Sequence, residues 1–316
     1  MSAKNIDKAY QRINPHILQT PLIRSNWLSD FCDGQVYLKL ESEQHTGSFK
    51  ARGGLNKLMW LQEQNINAMP VTASTGNHGL GFARALELLD MEGKIFLPKN
   101  ADSSKVEAIQ SYNVEITFHG YDPYTTEIHT RHTAEKNGWV YVSPYNDAQI
   151  IAGQGTIGKE ITYQISHADN LLATVGGGGL ISGVATYLQK QWPDTSIIGC
   201  QPAHSPEMSA SVQAGEYLEV ETKPTLSDGS AGGFERDAIT FELCSKLVDE
   251  FMLVSEEEIK QSIRQMLKFH HKIIEGAAAV ALAPVLKDPD RFRNQTTVIV
   301  ICGANISMEN LRKIIC

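Results

Sequence analysis

The sequence predicts an α/β fold with mostly parallel sheets, on three observations. Short apolar and β-branched runs alternate with longer helical patterns along most of the chain. Several of those runs are apolar nearly throughout, as strands are when helices cover both faces of a sheet. Two of the runs lead through a turn of small residues straight into a helical pattern, the strand-to-helix step of such folds.

In chain order, strands are expected at 36–40, 70–73, 94–97, 114–118, 171–175, 196–201 and 296–302. Helix signals are specific in two places. The pattern after the glycines at 176–179 sets Ile181, Val184 and Leu188 on one side and ends in a basic residue, which suits a helix C-terminus. Ser255 stands three residues before Glu258, ahead of a stripe of Ile259, Ile263, Met266 and Leu267. That is a capping box, with Val254 placed as a hydrophobic staple against Ile259. The Ala-rich segment 277–286 is too short to span a bilayer and reads as a buried helix.

Composition narrows the function class. The chain has 316 residues with 28 Lys and Arg against 36 Asp and Glu, a net charge of -8, and 42% hydrophobic residues. This is the balance of a folded globular protein, and the acidic excess argues against nucleic acid as a partner. The N-terminal stretch lacks a continuous apolar segment, and no apolar run reaches membrane-spanning length, so no membrane association is expected. Five cysteines, odd in number and without a CxxC pair, fit a reducing, cytoplasmic setting. His129 and His132 have i,i+3 spacing, but no Cys or carboxylate completes a zinc set, and no metal ligand is assigned.

Four segments could carry chemistry. In Thr46-Gly47-Ser48-Phe49-Lys50 a lysine enters a helical pattern directly behind a Gly-Ser turn. A lysine becomes a nucleophile only where desolvation or nearby charge lowers its pKa; alone, it also reads as a solvated residue of an amphipathic helix. Ser74-Thr75-Gly76-Asn77-His78 follows a short strand, and its hydroxyls and the first helical N–H groups suit a carboxylate, or simply cap the helix. Gly176, Gly177, Gly178 and Gly179 lie between a strand and a helix, where bare backbone can surround a phosphate or form a structural turn. This run lacks the ending of a nucleotide P-loop and the GxGxxG spacing. Cys302 ends the last strand, where open parallel sheets present ligands, or is simply buried.

Taken in order, GSFKARG, STGNHG, AGQGT, GGGGL and the late strand with Gly303 and Asn305 resemble the fold-type II pyridoxal-phosphate enzymes, specifically the threonine/serine dehydratase and serine racemase family. The resemblance covers nearly the whole chain. It implies two lobes, with 1–48 and 147–316 as a large cofactor-binding domain and 49–146 as a small domain that closes on substrate. It also implies pyridoxal 5'-phosphate in Schiff-base linkage to Lys50, with Phe49 packed on the ring, Asn77 at the 3-hydroxyl, Glu275 on the cofactor side, Cys302 facing the pyridine nitrogen, and Gly176 to Gly179 around the phosphate. Substrate contacts fall on Ser74, Thr75, Asn77, His78, Gln154 and Asp228, and Tyr145 matches a pocket-side position that often differs among relatives.

The activity so implied is elimination of water from a 3-hydroxy amino acid such as L-threonine or L-serine, giving a 2-oxo acid and ammonia. Lys50 and Thr75 are the catalytic pair. Racemisation is the closest alternative, with a Ser in serine racemases where Thr75 stands here. The loop 227–233 and the segment 302–305 also resemble dehydratases of the hydroxyectoine-utilisation type, whose proposed substrates are modified hydroxy diamino acids. A noncatalytic amino acid-binding protein would keep the same turns. In the loop that carries a divalent cation in relatives, Gln201 stands where an acidic ligand is expected, while Glu207 keeps its acidity. A homodimer is the family expectation, and with Cys316 as the last residue the regulatory domain of feedback-controlled relatives is not expected.

Overall fold

A computed structural model describes all residues, 1–316. Ten strands form two sheets. The larger holds β1 (Leu22–Arg24), β2 (Gln35–Leu40), β7 (Asn170–Thr174), β8 (Ser196–Pro202), β9 (Glu250–Val254) and β10 (Thr296–Ile301), in the order β1-β2-β10-β7-β8-β9. The smaller holds β3 (Pro70–Ala73), β4 (Lys94–Leu97), β5 (Glu115–Phe118) and β6 (Val140–Tyr141), in the order β5-β4-β3-β6. Every pairing is parallel except β1 with β2. The seven expected strands are all present to within about a residue. β1, β6 and β9 are additional, the first two only three and two residues long and the third an edge strand with an exposed Leu253.

Burial explains the apolar runs. All five residues of β7 are buried at the centre of the larger sheet, where helices cover both faces. The two sheets carry separate apolar cores, one around β7, β8 and β10 and the other around Ile95, Leu97 and Phe82. The capping box at Ser255 forms as the spacing predicts and starts the helix Glu256–His270, and Val254 and Ile259 are both fully buried. The segment 277–286 lies within the helix Gly276–Lys287, buried from Gly276 through Val285. No helix is long and apolar enough to cross a membrane. All five cysteines are free thiols, four of them buried.

A buried ion network joins the end of β2 to the helices Lys50–Glu63 and Ala148–Gln164. The Arg52 guanidinium contacts Glu41 at 2.7 Å and Glu160 at 2.7 Å, and Lys39 Nζ reaches Glu160 at 2.6 Å, with all four side chains fully buried. Burial opposes the Arg52 charge, but Glu41 and Glu160 outweigh it and hold the guanidinium above its ordinary range. Lys39 is shifted the other way, downward, because desolvation outweighs its carboxylate neighbours. Arg52 lies two residues beyond Lys50, so this network fixes the first turn of the helix Lys50–Glu63 against the larger sheet.

Candidate active site

The chain leaving β10 folds back along the segment that precedes Lys50. Ser48 forms an antiparallel bridge with Gly303, Phe49 N–H donates to Cys302 O at 3.1 Å, and Ala304 N–H donates to Gly47 O at 2.9 Å. Residues far apart in sequence thus meet at the mouth of the larger sheet. Lys50 begins its helix there, with Nζ donating to the Pro144 carbonyl at 2.7 Å and 5.2 Å from the centre of the Phe49 ring. Burial pushes the Lys50 amine down to about 8 against the opposing pull of Cys302 and Glu275. A near-neutral pKa of this kind is what a nucleophilic lysine needs.

Opposite Lys50, β7 ends in the glycine turn. Gly178 has φ +82, a left-handed conformation that disfavours other residues, and it caps the helix Gly179–Gln191 without a side-chain bond. A Cβ on Gly177 would lie 2.4 Å from the Tyr145 ring, so only bare backbone fits between that ring and the cavity. The main-chain N–H groups of Gly177 to Leu180 have no acceptor within the protein and stand at the positive end of the helix dipole. That is the donor set of an anion cradle.

A single cavity of about 240 Å³ is lined by Phe49, Lys50, Asn77, the four glycines, Glu275 and Cys302. At its polar end Asn77 Nδ2 donates to both Glu275 oxygens, at 2.9 and 3.0 Å, and Asn77 Oδ1 accepts Asn305 Nδ2 at 2.6 Å. The Asn305 main-chain N–H adds a bond of 3.1 Å to Glu275, and Cys302 Sγ lies 4.0 Å from it. Burial raises Glu275 to about 7 despite these donors. Burial likewise keeps the Cys302 thiol well above its usual range, so this group is a neutral thiol.

A second cavity of about 180 Å³ adjoins the first through Asn77, Gly229 and Glu275, and takes in Thr75, Gly76, Lys105 and Asp228. Lys105 Nζ and Asp228 pair across it at 2.9 Å. Ser74 belongs to the turn rather than to either cavity wall, its Oγ accepting Gly76 N–H at 3.3 Å.

Two expected substrate contacts sit elsewhere. The His78 ring is buried and its Nε2–H donates to Val142 O at 3.1 Å. Burial and the Lys50 charge depress its pKa to about 3, which leaves a neutral imidazole whose Nδ1 is buried without a partner and which lines neither cavity. Gln154 is buried on the helix Ala148–Gln164, with its amide pressed against Gly53, and lines neither cavity.

Several contributors to the site carry no sequence signal of their role. Pro144 offers only a carbonyl, which no residue type announces. Tyr145, expected beside the pocket, packs against the glycine turn, and its hydroxyl accepts Glu235 N–H at 3.0 Å. Glu127 lines the main cavity with its charge met by Arg131 at 2.7 Å. Asn305 was visible as part of a motif, but its bonds to Asn77 and Glu275 depend on the return of the chain after β10.

These groups fit pyridoxal phosphate on their own chemistry. A lysine amine of lowered pKa and a set of unpartnered N–H donors on bare glycine backbone share the walls of one cavity.

Comparison with known proteins gives the same picture. A family model described as "Pyridoxal-phosphate dependent enzyme" matches residues 13–303. The chain is 37% identical over 312 residues to "L-threonine dehydratase catabolic TdcB" of Escherichia coli (strain K12), covering 98% of this chain and 94% of that one. Among solved structures, the processed form of threonine deaminase isoform 2 from Solanum lycopersicum superposes with a TM-score of 0.91 at 30% identity, over 100% of this chain and 94% of that one. Maize serine racemase superposes with a TM-score of 0.91 at 27% identity, over 99% and 96%.

Proposed function

Because this chain belongs to the pyridoxal-phosphate dependent enzymes, we propose that it eliminates water from a 3-hydroxy amino acid such as L-threonine or L-serine, releasing a 2-oxo acid and ammonia. The observation that carries this reading is the joining of two cavities at Asn77 and Glu275, one with the amine and the anion cradle, the other with the Thr75 turn.

Pyridoxal phosphate, held at Lys50, Asn77, Cys302 and Gly176 to Gly179, supplies the electron sink for charge that develops at the substrate α-carbon. Lys50 Nζ, once its amine is free and neutral, takes the α-proton. The main-chain N–H groups of the turn 74–78, at the start of the helix Asn77–Leu88, hold the substrate carboxylate, His78 contributing through its backbone. Thr75 lines the second cavity, and Asp228 borders the same space. The C–O bond at the β-carbon breaks, the hydroxyl departs with a proton as water, and the released enamine takes up water to give the 2-oxo acid and ammonia. One water is lost and one is taken up, so the overall reaction consumes none.

A second reading, racemisation, is favoured by the likeness to maize serine racemase and by the hydroxyl of Thr75 at a cavity wall. A panel of both serine enantiomers, threonine, 3-hydroxyaspartate and a hydroxy diamino acid, followed for 2-oxo acid, ammonia and chirality, separates the two. Elimination on threonine or serine is the expected result. Racemisation with no 2-oxo acid from any member overturns the proposal, and a preference for the hydroxy diamino acid redirects its substrate.

A further inference from the structure

Between β8 and the helix Glu207–Ala214 the chain gathers three buried side chains, Gln201, Ser205 and Glu207. Their oxygens are of the kind a hard divalent cation prefers, and the family resemblance leads one to expect such a cation here. The hydrogen bonds oppose it. Gln201 Oε1 accepts the Ser209 main-chain N–H at 2.7 Å. A backbone N–H only donates, so this bond fixes the amide's orientation and turns Nε2 toward the Ser205 carbonyl, 3.5 Å away. The amide thus presents an N–H donor, which cannot ligate a cation, to the Ser205 carbonyl, and its one oxygen is already engaged.

The remaining charge is already accommodated. Ser205 Oγ donates to the Glu207 carboxylate, lying 3.0 and 2.8 Å from its two oxygens, and Glu207 occupies the first turn of its helix, where the dipole favours a negative group. Ser205 Oγ in turn accepts the Gly232 main-chain N–H at 3.2 Å. Gly232 lines the main cavity, so the cluster is tied to the cavity wall. No group of three or more His, Cys, Asp or Glu is arranged to hold a metal ion anywhere in the chain.

We propose that the Gln201 amide takes the place of a divalent cation, so that Gln201, Ser205 and Glu207 hold the Gly232 segment by hydrogen bonds alone and the loop 201–207 binds no cation. One amide-to-carboxylate change is then all that separates this loop from a cation site, because Gln201→Glu replaces a proton donor by a second anionic oxygen ligand beside Glu207.

The test uses holoenzyme and reads melting temperature and retained metal, neither of which depends on the substrate reaction. Wild-type protein is melted in EDTA and in millimolar MgCl2, MnCl2 or CaCl2, and its metal content is measured after gel filtration. The expected result is a melting temperature constant to within about 1 °C and no stoichiometric metal. Gln201→Glu should melt several degrees lower than wild type in EDTA and recover roughly 3–5 °C or more on addition of a divalent cation, as ligand linkage requires. Retention of one cation per wild-type chain, or a comparable cation-dependent rise in wild type that Glu207→Gln abolishes, overturns the proposal. So does a folded Gln201→Glu protein indifferent to cations. The wild-type arm decides the question by itself if that variant does not fold.

Discussion

Asn77 Nδ2 holds both carboxylate oxygens of Glu275, at 2.9 and 3.0 Å, across the seam between the two sheets. Burial raises Glu275 to about 7 even so, with the Asp228 charge adding to the rise. The folded protein therefore holds this proton more tightly than the unfolded chain does, and stability falls as pH rises from about 4.5 toward 7. The loss is on the order of 3 kcal/mol, since each tenfold difference in proton affinity between the two states is worth about 1.4 kcal/mol. In cofactor-free protein, Glu275→Gln should flatten the pH dependence of stability across this window. Urea unfolding at pH 5 and pH 8 measures it, and an unchanged difference between the two pH values contradicts the assignment.

At the other end of the cavity, the lowered pKa of Lys50 predicts selective reactivity. The neutral amine is the reacting form, so reductive trapping of an aldehyde on Lys50 in cofactor-free protein should rise through pH 8, while exposed lysines respond near 10. Peptide mass spectrometry against pH reads this directly. Lys50→Ala should remove both the modified peptide and the absorption band of covalently held cofactor. A half-maximum for Lys50 near pH 10 is the contrary result.

Arg52 supports that lysine from behind. Removing its guanidinium strands Glu41 and leaves Glu160 with Lys39 alone, both carboxylates being fully buried. Breaking a buried pair from one side costs about 3–5 kcal/mol, so Arg52→Ala should lower unfolding free energy by that amount. A loss below about 1 kcal/mol in denaturant titration rules out the network as an anchor of the helix Lys50–Glu63.

How much of this was legible in the sequence follows from how local each feature is. The central strands were visible because burial on both faces makes them apolar throughout, as in β7, and Ser255 with Glu258 announced its helix because capping needs only a spacing of three. Lys50 and the four glycines were visible because a turn, a strand and a helix are written in adjacent residues. The two-residue β6 left no pattern to read, and the ladder that pairs Ser48 with Gly303 joins segments 255 residues apart. The ion network of Arg52, Glu41, Glu160 and Lys39 was hidden for the same reason, since each charge taken alone reads as a solvated surface group. His78 and Gln154 sit within recognisable motifs, yet which way a side chain points is settled by packing against Val142 and Gly53.

Asp228 offers a separation of binding from stability. Its pair with Lys105 is well exposed on the Asp228 side, and such pairs contribute roughly 0–1 kcal/mol. Asp228→Asn should therefore leave the melting temperature nearly unchanged while raising KM for the hydroxy amino acid about tenfold, with kcat less affected, as loss of a substrate-bordering group requires. A lowered melting temperature with an unchanged KM assigns Asp228 to structure instead.

Thr75 carries the choice between elimination and racemisation. It stands at the wall of the second cavity, in the turn that leads into the helix Asn77–Leu88, on the space shared with Asn77 and Glu275. Racemisation requires a proton delivered to the α-carbon on the face opposite Lys50, and a hydroxyl held within hydrogen-bond reach of that carbon is the group able to deliver it. Threonine has the hydroxyl, but its β-branch restricts χ1, so the oxygen is not free to swing as a serine oxygen is. Thr75→Ser should accordingly raise the ratio of racemisation to elimination on L-serine by at least about tenfold, whereas Thr75→Val, which keeps the shape and removes the oxygen, should abolish racemisation and retain elimination. Deuterium exchange at the α-carbon in heavy water, followed with chiral chromatography of remaining serine, measures both fluxes in one experiment. Equal racemisation in wild type, Thr75→Ser and Thr75→Val places the opposing proton donor elsewhere.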